Sequence, residues 1–278
     1  MRHGISLFTS DRGITPAKAA RAAEERGFAT FYVPEHTHIP VRRTAPHPRT
    51  GDATLPDDRY MRTLDPWVAL ATAAEATTTI GLSTSVALPV ESDPITLAKT
   101  IATLDFLSGG RVSLGAGFGW NTDEMADHGV PPHRRRTVLK EYLEAMRALW
   151  TQEEAAYSGE FVSFGASWAW PKPVQEHLPV VIGAGAGPKT FAWIAANADG
   201  WISTPKDTEL PTRARQLQEV WREAGREGQP IIRAHSPQHE LIDAYEEAGI
   251  TELVWSLPDT GESGVLAYLD ELARKLRL

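Results

Sequence analysis

The 278-residue chain contains no cysteine. That removes disulfides, thiolate nucleophiles and cysteine-ligated zinc or iron–sulfur centres together, so any chemistry rests on other side chains. No apolar run approaches the roughly 18 residues of a membrane span, and the opening MRHGISLFTS holds too short an apolar stretch for a secretory leader. A cytoplasmic enzyme is the expectation. Positive charge is in deficit, with 28 Lys and Arg against 36 Asp and Glu and a net charge of −8. The overall field repels polyanions, so no nucleic acid or membrane partner is expected, and an anionic ligand needs a local basic patch. Tandem repeats are absent. Metal-binding spacings are absent too: His36 and His38 lie two apart and His128 and His133 five apart, without the carboxylate spacing of a metalloprotease helix. No metal is expected, and without a nucleophile elbow hydrolysis is disfavoured.

What is present is a globular balance, 42% hydrophobic and 23% charged, able to bury a large core. Strand-like and helix-like segments alternate in eight pairs. The strands fall at 4–8, 30–34, 80–88, 112–117, 179–184, 200–204, 230–235 and 252–257, mostly as continuous apolar runs. Helical patterns follow at 15–27, 66–79, 94–108, 133–151, 188–198, 208–226, 237–248 and 262–276. Asp65-Pro66 and Asp93-Pro94 read as N-caps followed by first-turn prolines, and Gly27, Gly109 and Gly249 stand where helices should stop. Eight units close a (β/α)8 TIM barrel, so the chain is expected to form one domain over residues 1–278. Two segments exceed ordinary loop lengths: 35–64 after the second strand, rich in Pro, Arg and His, and 152–178 before the fifth, which reads as an aromatic hairpin.

Active-site groups of such barrels project from the C-terminal ends of strands. Glu35-His36 ends the second strand and suits proton transfer or the fixing of a polar ring. Glycines crowd two further strand ends, GAGFG at 115–119 and GAGAG at 183–187, where a planar cofactor or phosphate can approach the backbone. The second run precedes a helix opening Pro188-Lys189-Thr190, a favourable place for an anion. Arg134, Arg135 and Arg136 open another helix, where the dipole disfavours cations and an anionic partner would compensate.

With these motifs assembled, EH after the second strand, TSVALP, DPITLAKTIATLDFLSGGRVSLGAGFGWNTDE and PVVIGAGAGPKTFAWIAANADGW, the sequence resembles the bacterial luciferase-like family of barrel oxidoreductases. Within it, the chain is similar to the group using the deazaflavin coenzyme F420. The resemblance implies Glu35 and His36 beside the deazaflavin ring, His36 handling the proton and Glu35 orienting it or the ring. It implies Ser85-Val86 at a backbone bulge, often a non-prolyl cis peptide, behind the ring, with Thr84 bonding the ring or ribityl chain. Gly115, Gly117, Gly119, Trp120 and Asn121 would border the ring, and Gly183, Ala184, Gly185, Ala186, Gly187 and Lys189 would hold the phosphate. Arg42, Arg43 and Arg135 are candidates for the coenzyme's acidic tail or an anionic substrate. The sugar-phosphate dehydrogenases of this family carry a carboxylate where this chain has Trp120, and an aromatic residue where it has Pro40. The implied activity is hydride transfer between F420 and a small organic molecule, in a homodimer packed through helices flanking the early strands. Two alternatives stand beside it: a monooxygenase using reduced FMN and oxygen, and a non-catalytic flavin-binding barrel.

Overall fold

The computed structural model describes residues 1–205 and 207–278. In chain order the first half comprises β1 (Arg2–Ser6), α1 (Pro16–Glu24), β2 (Thr30–Val33), α2 (Pro66–Ala76), β3 (Gly81–Thr84), α3 (Pro94–Ser108) and β4 (Val112–Gly117). There follow α4 (Thr122–Asp127), α5 (Arg135–Thr151), the hairpin β5 (Ala155–Ser158) and β6 (Ser163–Ser167), β7 (Val180–Gly183) and α6 (Pro188–Asn197). The chain ends with β8 (Gly200–Ile202), α7 (Leu210–Glu223), β9 (Ile231–His235), α8 (Ile242–Glu247), β10 (Glu252–Ser256) and α9 (Glu262–Leu276). All strands except the antiparallel β5–β6 pair close one parallel barrel, β1–β2–β3–β4–β7–β8–β9–β10 and back to β1.

The expected eight strand–helix pairs therefore have counterparts, with ends shifted by a few residues. The third strand stops at Thr84, well short of 88, and the seventh expected helix, at 237–248, is a 3-10 turn at His239–Leu241 followed by only six α-helical residues. One helix, α4, falls in a stretch read as loop. Between β2 and α2 the only helical structure is a 3-10 turn at Asp58–Arg62. Among the described residues no helix is long and apolar enough to cross a membrane.

The capping signals explain the boundaries. Asp65 and Asp93 accept hydrogen bonds from the amides of Val68 and Thr96, each at 2.8 Å, satisfying first-turn donors that a helix leaves unpaired. Gly109 caps α3 at φ 71°, a left-handed conformation that glycine adopts without steric cost. Arg111, two residues on, donates to the carbonyls of Ala74, Thr77, Ile80 and Ser108 and to the Thr77 hydroxyl at 2.8–3.1 Å, tying the N-terminal rim of the barrel together.

Both faces of the sheet are covered, so β4 is buried at all six positions. Inside the barrel, Arg233 of β9 reaches Ser83 and Ser113 at 3.2 and 3.0 Å and lies 3.5 Å from Glu252, which accepts a 2.6 Å bond from Tyr32. A Cβ at Gly4 would stand 2.6 Å from the Tyr32 ring, so β1 passes this plug only as glycine. The plug fills the barrel beneath its C-terminal mouth and confines ligand space to that mouth.

Candidate active site

Glu35 and His36 leave the C-terminal end of β2 together, yet they do different things. The Glu35 amide donates to Val86 O at 3.1 Å and its carboxylate accepts from the Leu88 amide at 2.6 Å. Glu35 is thus a latch holding the chain after β3 against β2; among its described hydrogen bonds none reaches His36, so the orienting of the imidazole falls to another carboxylate. Burial, joined by Asp65 and Glu124, pushes its carboxyl up to about 7 against the Leu88 amide.

The partner of His36 is Glu124. Its Oε2 lies 2.8 Å from His36 Nδ1, and its Oε1 accepts from the Thr37 and His38 amides at 2.9 and 3.5 Å. Burial opposes ionisation of Glu124, but the His36 contact and these amides outweigh it and hold the carboxyl below the usual range. An ionised carboxylate only accepts, so Nδ1 carries the ring proton. At the other nitrogen, Nε2 lies 3.4 Å from Trp120 Nε1, which only donates. His36 is therefore a neutral ring whose lone pair, at Nε2, faces the indole.

Asn121 makes this possible. It caps α4 by accepting from the Glu124 amide at 3.5 Å, and its side-chain amide donates to Glu124 Oε2 at 3.2 Å. Asn121-x-x-Glu124 is a capping pattern, and reading it would have located both α4 and the carboxylate missed from sequence. Glu91 is a second missed carboxylate. It is 5% exposed, and burial followed by the charges of Glu124 and Glu35 pushes its carboxyl up.

The long loop supplies an aromatic wall. His47 packs edge-on to Trp120 at 4.7 Å between centroids and to Tyr60 at 5.0 Å, while Tyr60 lies 5.6 Å from His36. His47 Nδ1 accepts the Arg49 amide at 3.1 Å, so its Nε2 donates to the Tyr60 hydroxyl at 3.0 Å. Arg43 donates to the carbonyls of Pro40 and Ala53 and so shapes this loop, and Arg42 is exposed on it.

The opposite side of the mouth is glycine-lined. The Ser85–Val86 peptide is cis. A Cβ on Gly117 or Gly183 would stand 2.6 or 2.4 Å from a Val86 methyl, so the partly exposed Val86 side chain rests on both glycines as a floor. Gly115 must be glycine because its Cβ would fall 1.9 Å from Thr84 O. Thr84 itself is fully buried; its hydroxyl donates to Gly115 O at 2.7 Å and accepts from Gly115 N at 3.1 Å. It is spent on joining β3 to β4, a correction to its expected bond with a ring. Gly119, at φ 75°, turns the chain toward Trp120.

Beyond the floor, Cβ positions on Gly185 and Gly187 meet only open space, Ala186 is partly buried, and Ala184 O accepts Trp201 Nε1 at 2.8 Å. Lys189 is exposed in the first turn of α6. Arg136 reaches that turn from α5, donating to Thr190 Oγ1 at 3.1 Å with its guanidinium 4.6 Å over Phe118. Of the three arginines, Arg136 therefore meets the helix that follows the glycine loop; Arg134 pairs with Glu160 at 2.6 Å, and Arg135 is partly buried.

The luciferase-like monooxygenase family matches residues 15–250. A protein of Mycobacterium tuberculosis (strain ATCC 25618 / H37Rv) whose function is uncharacterized is 63% identical over 278 residues, covering 99% of each chain. An F420-dependent glucose-6-phosphate dehydrogenase of Segniliparus rotundus is 31% identical over 218 residues, 73% of this chain and 59% of that one. Among solved structures, the F420-dependent tetrahydromethanopterin reductase of Methanopyrus kandleri superposes with a TM-score of 0.73 at 18% identity over 97% of each chain. The monooxygenase RslO1 of Streptomyces bottropensis does so with a TM-score of 0.76 at 19% identity over 100% of this chain and 99% of that one, a likeness of fold.

Proposed function

The chain belongs to the luciferase-like monooxygenase family, and from that premise we propose that it is an oxidoreductase transferring a hydride between coenzyme F420 and a small organic substrate. The observation that carries the reading is His36: an imidazole held at Nδ1 by Glu124 at 2.8 Å, with Nε2 3.4 Å from Trp120 Nε1, beside a mouth floored by Val86. The residues present fit a flat tricyclic ring with an anionic tail. Val86 gives one apolar face, the open backbone at Gly185 and Gly187 admits close approach, and Lys189, Arg136 and the α6 amides suit a phosphate.

A bound deazaflavin supplies two-electron hydride chemistry. The chain's own residues do the rest. Once substrate displaces the Trp120 indole, His36 Nε2 takes a proton from a substrate hydroxyl, or returns it in the reverse direction, and Glu124 stabilises the imidazolium so formed. Trp120, His47 and Tyr60 close the mouth against water on the β2 side. Trp120, where the family's sugar-phosphate dehydrogenases carry a carboxylate, favours a less polar substrate than a sugar phosphate. We take the working form to be a cytoplasmic homodimer, a reading supported by exposed Ile95, Phe106 and Leu107 on α3.

Titration of the purified protein with oxidised F420 and, separately, reduced FMN tests the cofactor. Quenching of F420 fluorescence, retained in His36→Asn, is the expected result. Tight binding of reduced FMN with no response to F420 overturns it in favour of an oxygen-using monooxygenase.

A further inference from the structure

Behind His36 lies a second route to solvent. While Glu124 Oε2 meets the imidazole, Oε1 lies 3.4 Å from the Thr37 hydroxyl, which is 2.7 Å from His128 Nε2 and 3.0 Å from His38 Nδ1. His128 is exposed and lines a cavity of about 430 Å³ together with Glu91, Asp93, Tyr142 and Phe161. Glu91, whose buried carboxyl has no hydrogen-bond partner among the described residues, stands in the wall of the same cavity. On the mouth side the way is closed, because Trp120 covers Nε2 and His36 is 9% exposed.

We propose that His36 exchanges its proton with solvent through the back of the site, by way of Glu124, Thr37 and His128 into this cavity, while the mouth stays closed over the reactants. The route presupposes His36 as the proton-handling group of the proposed reaction. A proton arriving at Nε2 sends the Nδ1 proton to Glu124 Oε2, leaving the ring neutral. A half-turn of the carboxyl presents that proton to Thr37, whose hydroxyl accepts it and gives its own to His128 Nε2. His128 then releases its Nδ1 proton to cavity water. One proton enters at His36 Nε2, one leaves at His128 Nδ1, and no electron moves; each ring is left as its Nε2–H tautomer, His128 returning by exchange with cavity water and His36 by neutral exchange when the mouth opens. Burial, with the neighbouring His38, lowers the His128 pKa, while Asp127, 3.0 Å from His38 Nε2, anchors that neighbour.

Exchange of the His36 Nδ1 proton with water, followed by NMR of 15N-histidine-labelled, ligand-free protein, decides the matter without substrate. Thr37→Val and His128→Ala are each expected to slow it about tenfold or more, with added imidazole restoring the His128→Ala rate and leaving Thr37→Val slow. Both variants exchanging at the wild-type rate would overturn the route, as would imidazole accelerating Thr37→Val equally. Failure of the F420 reading is seen separately, as absent fluorescence quenching by a protein whose exchange still depends on Thr37.

Discussion

Glu35→Gln separates the latch from its charge. The wild-type carboxyl is 7% exposed and pushed up to about 7 by burial and neighbouring carboxylates, whereas an unfolded chain returns it to the ordinary glutamate value of 4.5. Between those values the folded state keeps a proton that the unfolded state has lost, so stability is full below pH 4.5 and falls as pH rises to about 7. At about 1.4 kcal/mol for each pH unit, the whole interval costs about 3 kcal/mol. A glutamine keeps an oxygen for the Leu88 amide and carries no charge, so the variant escapes that loss. Urea unfolding followed by tryptophan fluorescence should show the variant gaining on wild type by about 3 kcal/mol between pH 4.5 and pH 8, with most of the gain complete by pH 7. A difference that stays flat across this range would refute the reasoning, because it would mean that the buried carboxyl ionises as it does in water.

Gly183→Ala places a methyl 2.4 Å from the tip of a partly exposed valine that can turn aside, so the fold should survive while F420 affinity falls at least about tenfold, read by fluorescence titration against an unchanged melting temperature. Arg111→Ala leaves four carbonyls and a hydroxyl without their donor at the opposite rim, and should cost about 2–4 kcal/mol in urea unfolding with coenzyme affinity unchanged. Arg136→Ala should weaken binding of F420, whose tail is anionic, by about tenfold, and the loss should shrink at high salt; Arg135→Ala, measured in the same titration, should change it little.

The barrel was legible because its evidence is local and repeated. Continuous apolar strands, aspartate caps before Asp65-Pro66 and Asp93-Pro94, and glycines past helix ends each follow from backbone hydrogen bonding within a few residues, and eight agreeing units leave few topologies open. On the glycine-lined side of the mouth the need for close approach was legible but not what approaches: Gly115 makes room for Thr84 O, and Gly117 and Gly183 for the Val86 side chain. Thr84 was misassigned for a related reason: a polar residue in an apolar strand signals an unmet hydrogen bond, and the bond was met by Gly115 rather than by a ligand.

The proton-handling side was only half legible, since its partners meet through closure of the barrel. Adjacency in sequence suggested Glu35 for His36, but successive residues leaving a strand point to opposite faces, so the neighbour that could not reach the imidazole became a backbone latch. The carboxylate that does reach it lies 88 residues away. Its local trace was the Asn121-x-x-Glu124 cap, a signal of helix start that says nothing of where the glutamate turns. His47 and Tyr60 left less, because a loop rich in proline has no period from which to read a face. The site thus divides physically: positions fixed by backbone crowding can be found one residue at a time, whereas the base, its carboxylate and its aromatic cover acquire their chemistry only from one another. Replacing the carboxylate alone tests that dependence, since Glu124→Gln keeps the shape yet removes the obligate acceptor that fixes the imidazole's proton on Nδ1. The 15N shifts of His36 should then move toward a mixture of tautomers; retention of the wild-type pattern would mean that Trp120, not Glu124, sets the base.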